Sequence, residues 1–281
     1  MEIKKSDETY LHTGLIGFGA AGKLICEAIL MGRAGRCVLD SVLTGDRSEA
    51  EGMGESLDRQ GVFVTDDAGV FFKRRHDIII EAAGIRELTK YAMQALANDS
   101  DLIVMSTGAL ADEGFHRALR KKAEAVNRNV YLAPGALPGL DWLAAATLAE
   151  TGRLSITVSK PSAAWTGVAE QERISLKLSS EPFVFFEGTA KEAGVAFPGL
   201  HNEVILLGLA TLGTAGVAVK LIADPVGEYA KTVVEFDGSA GKMCVELSAR
   251  NRGSGPEAER DAALCVVRLL RNMTAAVRFG G

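Results

Sequence analysis

Residues 13–30 read TGLIGFGAAGKLICEAIL: an apolar run, a glycine turn, then residues spaced as on an amphipathic helix. Gly17, Gly19 and Gly22 fit the spacing G-x-G-x-x-G. The first glycine permits a tight turn, the second removes a Cβ so that a diphosphate can approach the backbone, and the third lets helix and strand pack closely. The amides of Ala20 and Ala21 then open the helix, where unpaired N–H groups and partial positive charge favour an anion. An ordinary strand-to-helix bend also uses glycine, so the flanking chain has to decide between the two readings.

The flanks support a nucleotide fold. From Gly14 to about Val130, β-rich runs (CVLDSVLTG, GVFVTDD, DIIIEAAG, DLIVMST, VYLAPG) alternate with helical ones (RELTKYAMQALAN, DEGFHRALRKKAEAVN). Runs such as DIIIEAA do not alternate polar with apolar residues, as expected of parallel strands covered on both faces. After Pro138 the texture changes. LSITVSKPSAAW, RISLKLSSEPFVFFEG and KTVVEFDG…KMCVELSA alternate, the pattern of an antiparallel sheet with one wet face, with helices near TAKEAGVAF and HNEVILLGLATLG between them. The predicted class is α/β: an N-terminal Rossmann-type doubly wound parallel sheet (1–137) and a second α+β domain on a mostly antiparallel sheet (138–254). A C-terminal amphipathic helix (255–281) is predicted to complete the first domain.

Composition narrows the function classes. The 281 residues carry a formal net charge of −5, and 47% are hydrophobic. The basic runs FFKRRHD and RALRKKAE are short, so no nucleic-acid partner is expected. No apolar run reaches the roughly 18 residues of a membrane span. The four cysteines, Cys26, Cys37, Cys244 and Cys265, show no metal-ligand spacing, and the first residues show no signal-peptide core. A cytoplasmic protein without a metal is expected, with the thiols acting as small hydrophobes.

Several residues are candidates for the cofactor. The second strand ends in LTGDRSEAE, where Asp46 could accept from the ribose hydroxyls of NAD and Arg47 could pair with the 2′-phosphate of NADP. These cues oppose each other and leave NAD and NADP both open; both residues could instead cap the following helix. Ala83 and Gly84 in EAAG, and Ser106 in STGAL, end buried strands whose carboxyl ends line the ligand crevice of a parallel sheet.

Taken together, GFGAAG, EAAG, STGAL, APGALPGLDWLAAA, SKPSAAW, FEGTAKEAGVAFPGLHNEV and IADPVGEYAKTVVEFDG resemble the L-aspartate dehydrogenase family over nearly the whole chain. The resemblance implies a homodimer that carries out reversible NAD(P)-dependent oxidation of L-aspartate, an amino/imino dicarboxylic acid reaction. It places the family's cofactor-facing alanine on Ala136 and its cofactor-contacting asparagine on Asn202, and brings Lys160 and Asp141 in or near the substrate pocket. At the position of the family's proposed catalytic histidine stands Thr232. The family's Asn-Pro-x-Thr before the last helix is replaced by ARNRGSGPEAER.

Threonine cannot take the ammonium proton that must leave before hydride can. Of His12, His76, His116 and His201, only His201 adjoins a matched position, from which it could supply the catalytic imidazole; a local helix-start role is its alternative. His12 is expected ahead of the first strand, and His76 and His116 on the solvated surface. Two further readings stand beside aspartate oxidation: a dehydrogenase of a different small acid, and an inactive NAD(P)-binding regulator.

Overall fold

The apolar run ahead of the glycine turn forms β1 (Leu11–Ile16), near the middle of a six-stranded parallel sheet of order β3-β2-β1-β4-β5-β6. The computed structural model describes residues 10–45, 56–135, 137–149, 152–165, 180–197, 202–250 and 259–279. They divide into two units. The first runs to Ser106 and adds Gly114–Gly135 and the chain from Glu259; the second takes Thr107–Glu113 and the segment between Gly135 and Glu259.

In the first unit the other strands are β2 (Cys37–Leu43), β3 (Phe63–Thr65), β4 (Ile78–Glu81), β5 (Asp101–Val104) and β6 (Val130–Leu132). Their order reverses between β1 and β4, which makes the doubly wound arrangement with its ligand crevice at the strands' carboxyl ends. Ile78, Ile79 and Ile80 are all buried, as expected of a strand covered on both faces. The helices are α1 (Ala20–Leu30), the short α2 (Ala68–Phe71), α3 (Ile85–Ala97) and α4 (Glu113–Val126), the last beginning at the end of the second unit's first segment.

The second unit holds α5 (Leu140–Ala149), β7 (Gly152–Pro161), β8 (Phe183–Thr189), α6 (Ala190–Ala196), α7 (Asn202–Ala210), β9 (Val217–Asp224), β10 (Tyr229–Gly238) and β11 (Gly241–Arg250). Its sheet has the order β11-β10-β7-β9-β8. Leu154, Ile156 and Val158 of β7, Val219 and Leu221 of β9, and Val234 and Phe236 of β10 are buried. That alternation is the expected one-sided pattern. The sheet is mixed, because β7 and β9 pair in parallel and the chain returns between them through β8, α6 and α7. The start of the predicted strand RISLKLSS, through residue 179, lies outside the described residues.

The chain ends in α8 (Arg260–Thr274), whose Ala263, Val266, Val267 and Leu270 join the apolar cluster around Ile25, Ala28 and Ile29 of α1. The i, i+3, i+4, i+7 spacing gives α8 one apolar stripe, and truncating a residue as deeply buried as Leu270 costs about 2–5 kcal/mol.

Two histidine expectations and one cysteine expectation are corrected. His12 lies within β1, its Nδ1 2.9 Å from Asp40 Oδ2. His76 is not on the surface: it is 3% exposed, stacks on Phe71 at 4.8 Å and meets Ser41 Oγ through Nε2 at 2.7 Å. Lys73, Arg74 and Arg75 keep their charges exposed while the chain turns Phe71 and His76 inward. Cys26 and Cys37 are buried as expected of small hydrophobes, but Cys244 is exposed.

Candidate functional site

The glycine turn packs as its first and third positions require. Gly17 has φ +96°, and a Cβ there would lie 2.6 Å from the Ala82 carbonyl oxygen. A Cβ on Gly22 would lie 2.2 Å from the Gly17 carbonyl oxygen, so these two glycines close the strand and helix on each other. At Gly19 a Cβ would meet no protein atom within 4 Å. Gly17 and Gly22, the first and third positions, need glycine for the fold; at Gly19, the second, the space beyond the backbone is open. Gly19 is the N-cap of α1 and offers no side-chain cap, which leaves first-turn amides directed outward. One of them, Ala21 N–H, donates to Glu259 Oε2 at 3.0 Å, a carboxylate that leads into α8. A carboxylate at this point marks the helix start as an anion seat.

At the carboxyl ends of β4 and β5, Glu81 is 1% exposed and gathers the next two turns. Its Oε1 accepts from Ala83 N–H and Gly84 N–H, each at 2.8 Å, and from Ser106 Oγ–H at 2.9 Å, while Oε2 accepts from Ser106 N–H at 3.1 Å. Burial pushes this carboxyl above the ordinary carboxylate range, and the four donors oppose that shift by favouring the ionised form. Ala83, Gly84 and Ser106, expected on the cofactor side, are thus positioned by one buried acid. Ser106 turns its hydroxyl toward Glu81.

In the second unit the polar groups collect at one end of the sheet. Leu154, Ile156 and Val158 show which face of β7 is buried, and Lys160, two residues on, falls on that same face. Thr232 pairs directly with Val158, which puts it on this face beside Lys160. Lys160 Nζ lies 3.5 Å from Glu203 Oε1 and 5.3 Å from the centre of the Trp165 ring, and the Trp165 indole N–H donates to the Lys160 carbonyl at 3.1 Å. The lysine and glutamate side chains are each 25% exposed. Lys160 is therefore held in place rather than waving in solvent.

Asn202 opens α7. Its Oδ1 accepts from Gly108 N–H and its carbonyl from Thr107 Oγ–H, both at 2.8 Å, tying α7 to the 3₁₀ turn Thr107–Ala111. Asp141 stands exposed in the first turn of α5.

Asp46, Arg47, Ala136 and His201 lie outside the described residues. Glu81, Glu203 and Glu259 were not singled out as site residues in the sequence. An acid inside the otherwise apolar run IIIEAAG (78–84) was the available signal for Glu81. Nothing local marked the other two, whose partners are remote in the chain. Among the described residues there is no cluster of His, Cys, Asp and Glu able to hold a metal ion, and no helix long and apolar enough to cross a membrane.

Residues 17–133 match the NAD-binding domain of homoserine dehydrogenase, and residues 141–273 match the C-terminal domain of aspartate dehydrogenase. An L-aspartate dehydrogenase of Methanococcus maripaludis is 30% identical over 272 residues, covering 96% of this chain and 99% of its own. An L-aspartate dehydrogenase of Acinetobacter baumannii is 33% identical over 203 residues, 72% of this chain and 77% of its own. The crystal structure of aspartate dehydrogenase from Thermotoga maritima superposes with a TM-score of 0.71 at 25% identity, covering 97% of this chain and 100% of that one. With a glycine turn between β1 and α1 of a doubly wound sheet and relatives matched from end to end, the chain is an NAD(P)-dependent amino-acid dehydrogenase and belongs to the L-aspartate dehydrogenase family.

Proposed function

We propose that the protein oxidises L-aspartate to iminoaspartate with NAD or NADP, as a cytoplasmic homodimer. The observation that carries the substrate assignment is Lys160, a cation fixed at 3.5 Å from Glu203 on the covered face of the sheet. A fixed ammonium in a partly dry setting is a receiver for a substrate carboxylate. Thr232 on the same face offers a hydroxyl that can donate to the substrate or hold a water. Asp141 is proposed beside this pocket, and Asn202 as a contact of the cofactor.

The cofactor fits the first unit on geometric grounds. The open space at Gly19 admits a diphosphate, and the amides of Ala20 and Ala21 at the start of α1 would hold it. Ala83, Gly84 and Ser106, fixed by Glu81, would border its nicotinamide half, with Ala136 as a further neighbour. Asp46 would favour NAD and Arg47 NADP. When bound, the nicotinamide supplies the hydride acceptor. The chain's own tasks are to hold the substrate carboxylates, keep the amine neutral and order water for the imine.

The test is direct: purified protein, NAD or NADP and a panel of amino acids, followed by absorbance of the reduced cofactor. Turnover greatest with L-aspartate is expected. Tight NADH binding without turnover of any dicarboxylic amino acid would overturn the assignment. Light scattering after size exclusion tests the dimer.

A further inference from the structure

We propose that Glu203 receives the α-ammonium of the amino-acid substrate and takes its proton, the task that Thr232 cannot perform; this rests on the aspartate reading above. Glu203 stands in the first turn of α7, where a helix favours negative charge, with its carboxylate 3.5 Å from Lys160 Nζ. The pair is longer than a closed ammonium–carboxylate contact of about 2.7–2.9 Å, and each side chain retains a quarter of its exposure. Trp165 holds Lys160 from another side, so opening the pair does not release the lysine.

An amino dicarboxylate presents both charges that such a pair recognises. Its carboxylate goes to Lys160 and its ammonium to Glu203, so the substrate inserts into the ion pair and replaces each partner with one of its own groups. The substrate ammonium takes the place that Lys160 held beside Glu203, and displacement of water by the substrate favours the neutral carboxyl and neutral amine over the ion pair.

One N–H bond of the ammonium breaks, its proton passes to Glu203 Oε, and the nitrogen keeps the electron pair. That pair forms the C=N bond as the Cα–H bond breaks and hydride leaves to the oxidised nicotinamide. Water entering at the imine carbon later completes hydrolysis, and the proton on Glu203 returns to solvent.

The other ionisable groups on the elements packed against α7 have their own positions. On α6, Lys191 pairs with Glu113 and Glu192 closes a capping box with Thr189. On β9, Lys220 pairs with Glu187, and Asp224 accepts from Val226 N–H. Asp141 stands in the first turn of α5. Lys160 forms an ion pair with Glu203.

The experiment measures aspartate oxidation from pH 6 to 10 for the full-length wild type, Glu203→Gln, Glu203→Asp, His201→Gln and the double variant Glu203→Gln/Thr232→His. Thermal melts and NADH fluorescence titrations accompany each. The expected result is a loss of about 10²–10⁴-fold in kcat/KM for Glu203→Gln, a typical contribution of a general base. Its NADH affinity stays within about twofold, since the change removes a substrate contact. Glu203→Asp retains partial activity, His201→Gln stays within about threefold, and the double variant regains at least about tenfold, with its acid limb moved to the imidazole range near 6.5. The role of Glu203 is overturned if Glu203→Gln keeps more than half of wild-type kcat/KM, or if His201→Gln carries the large loss instead. Wild-type protein that binds NADH but does not turn over aspartate overturns the substrate reading, and this proposal with it.

Discussion

Glu259→Ala should tighten cofactor binding. In the protein as described, Glu259 Oε2 accepts from Ala21 N–H at 3.0 Å, on the same helix start that a diphosphate would need. Cofactor and carboxylate therefore compete for one donor, and any affinity measured for the wild type includes the work of displacing Glu259. A carboxylate at an exposed helix N-terminus contributes about 0.3–1 kcal/mol. With RT near 0.59 kcal/mol, removing it should lower the NADH dissociation constant by about 1.7- to 5-fold. The same loss weakens the tie between α8 and α1, so the melting temperature should fall by roughly 1–4 °C. Fluorescence titration of NADH at low and high salt measures the first effect, and the gain should shrink at high salt because screening weakens the carboxylate's hold on the helix end. Equal or weaker NADH binding by Glu259→Ala at low salt would refute the competition.

Gly19→Ala and Gly22→Ala should separate binding from folding. Gly19 has φ −68°, a conformation open to alanine, and its Cβ would enter free space, so stability should stay within about 0.5 kcal/mol while NADH affinity falls; Gly22→Ala would drive a Cβ to 2.2 Å from a backbone oxygen and should visibly lower the urea midpoint. Glu81→Gln should cost about 1–3 kcal/mol in urea denaturation, because at least one amide N–H then faces a buried donor now paired with the carboxylate. Burial holds His76 below its ordinary value, so as pH falls below about 6.5 the unfolded chain takes up a proton that the folded one refuses. Stability should fall by up to about 1.4 kcal/mol per pH unit until the folded value is reached, and His76→Gln should remove that slope between pH 7.5 and 5.5.

What could be read from the chain alone was whatever local sterics and periodicity decide. The steric roles of Gly17 and Gly22 follow from the backbone within six residues, and the stripe of α8 follows from helical spacing. The parallel β7–β9 pair could not be read, because alternation reports which face is buried and not strand direction. His76 was misplaced because FFKRRHD is charged on average, whereas burial is decided residue by residue. Lys160 came to notice through the family resemblance, but its partner Glu203 is supplied by α7, and only the folded chain joins them. Glu259 reached Ala21 from the far end of the sequence, beyond any local rule.

The four donors on Glu81 have a consequence for anyone remodelling this pocket. The turn after β4 and the turn after β5 share a single acceptor, so neither is an independent module. Transplanting one of them from a relative, to alter coenzyme preference for example, would strand part of the shared carboxylate's coordination. Swaps should succeed only when both turns and the acid travel together.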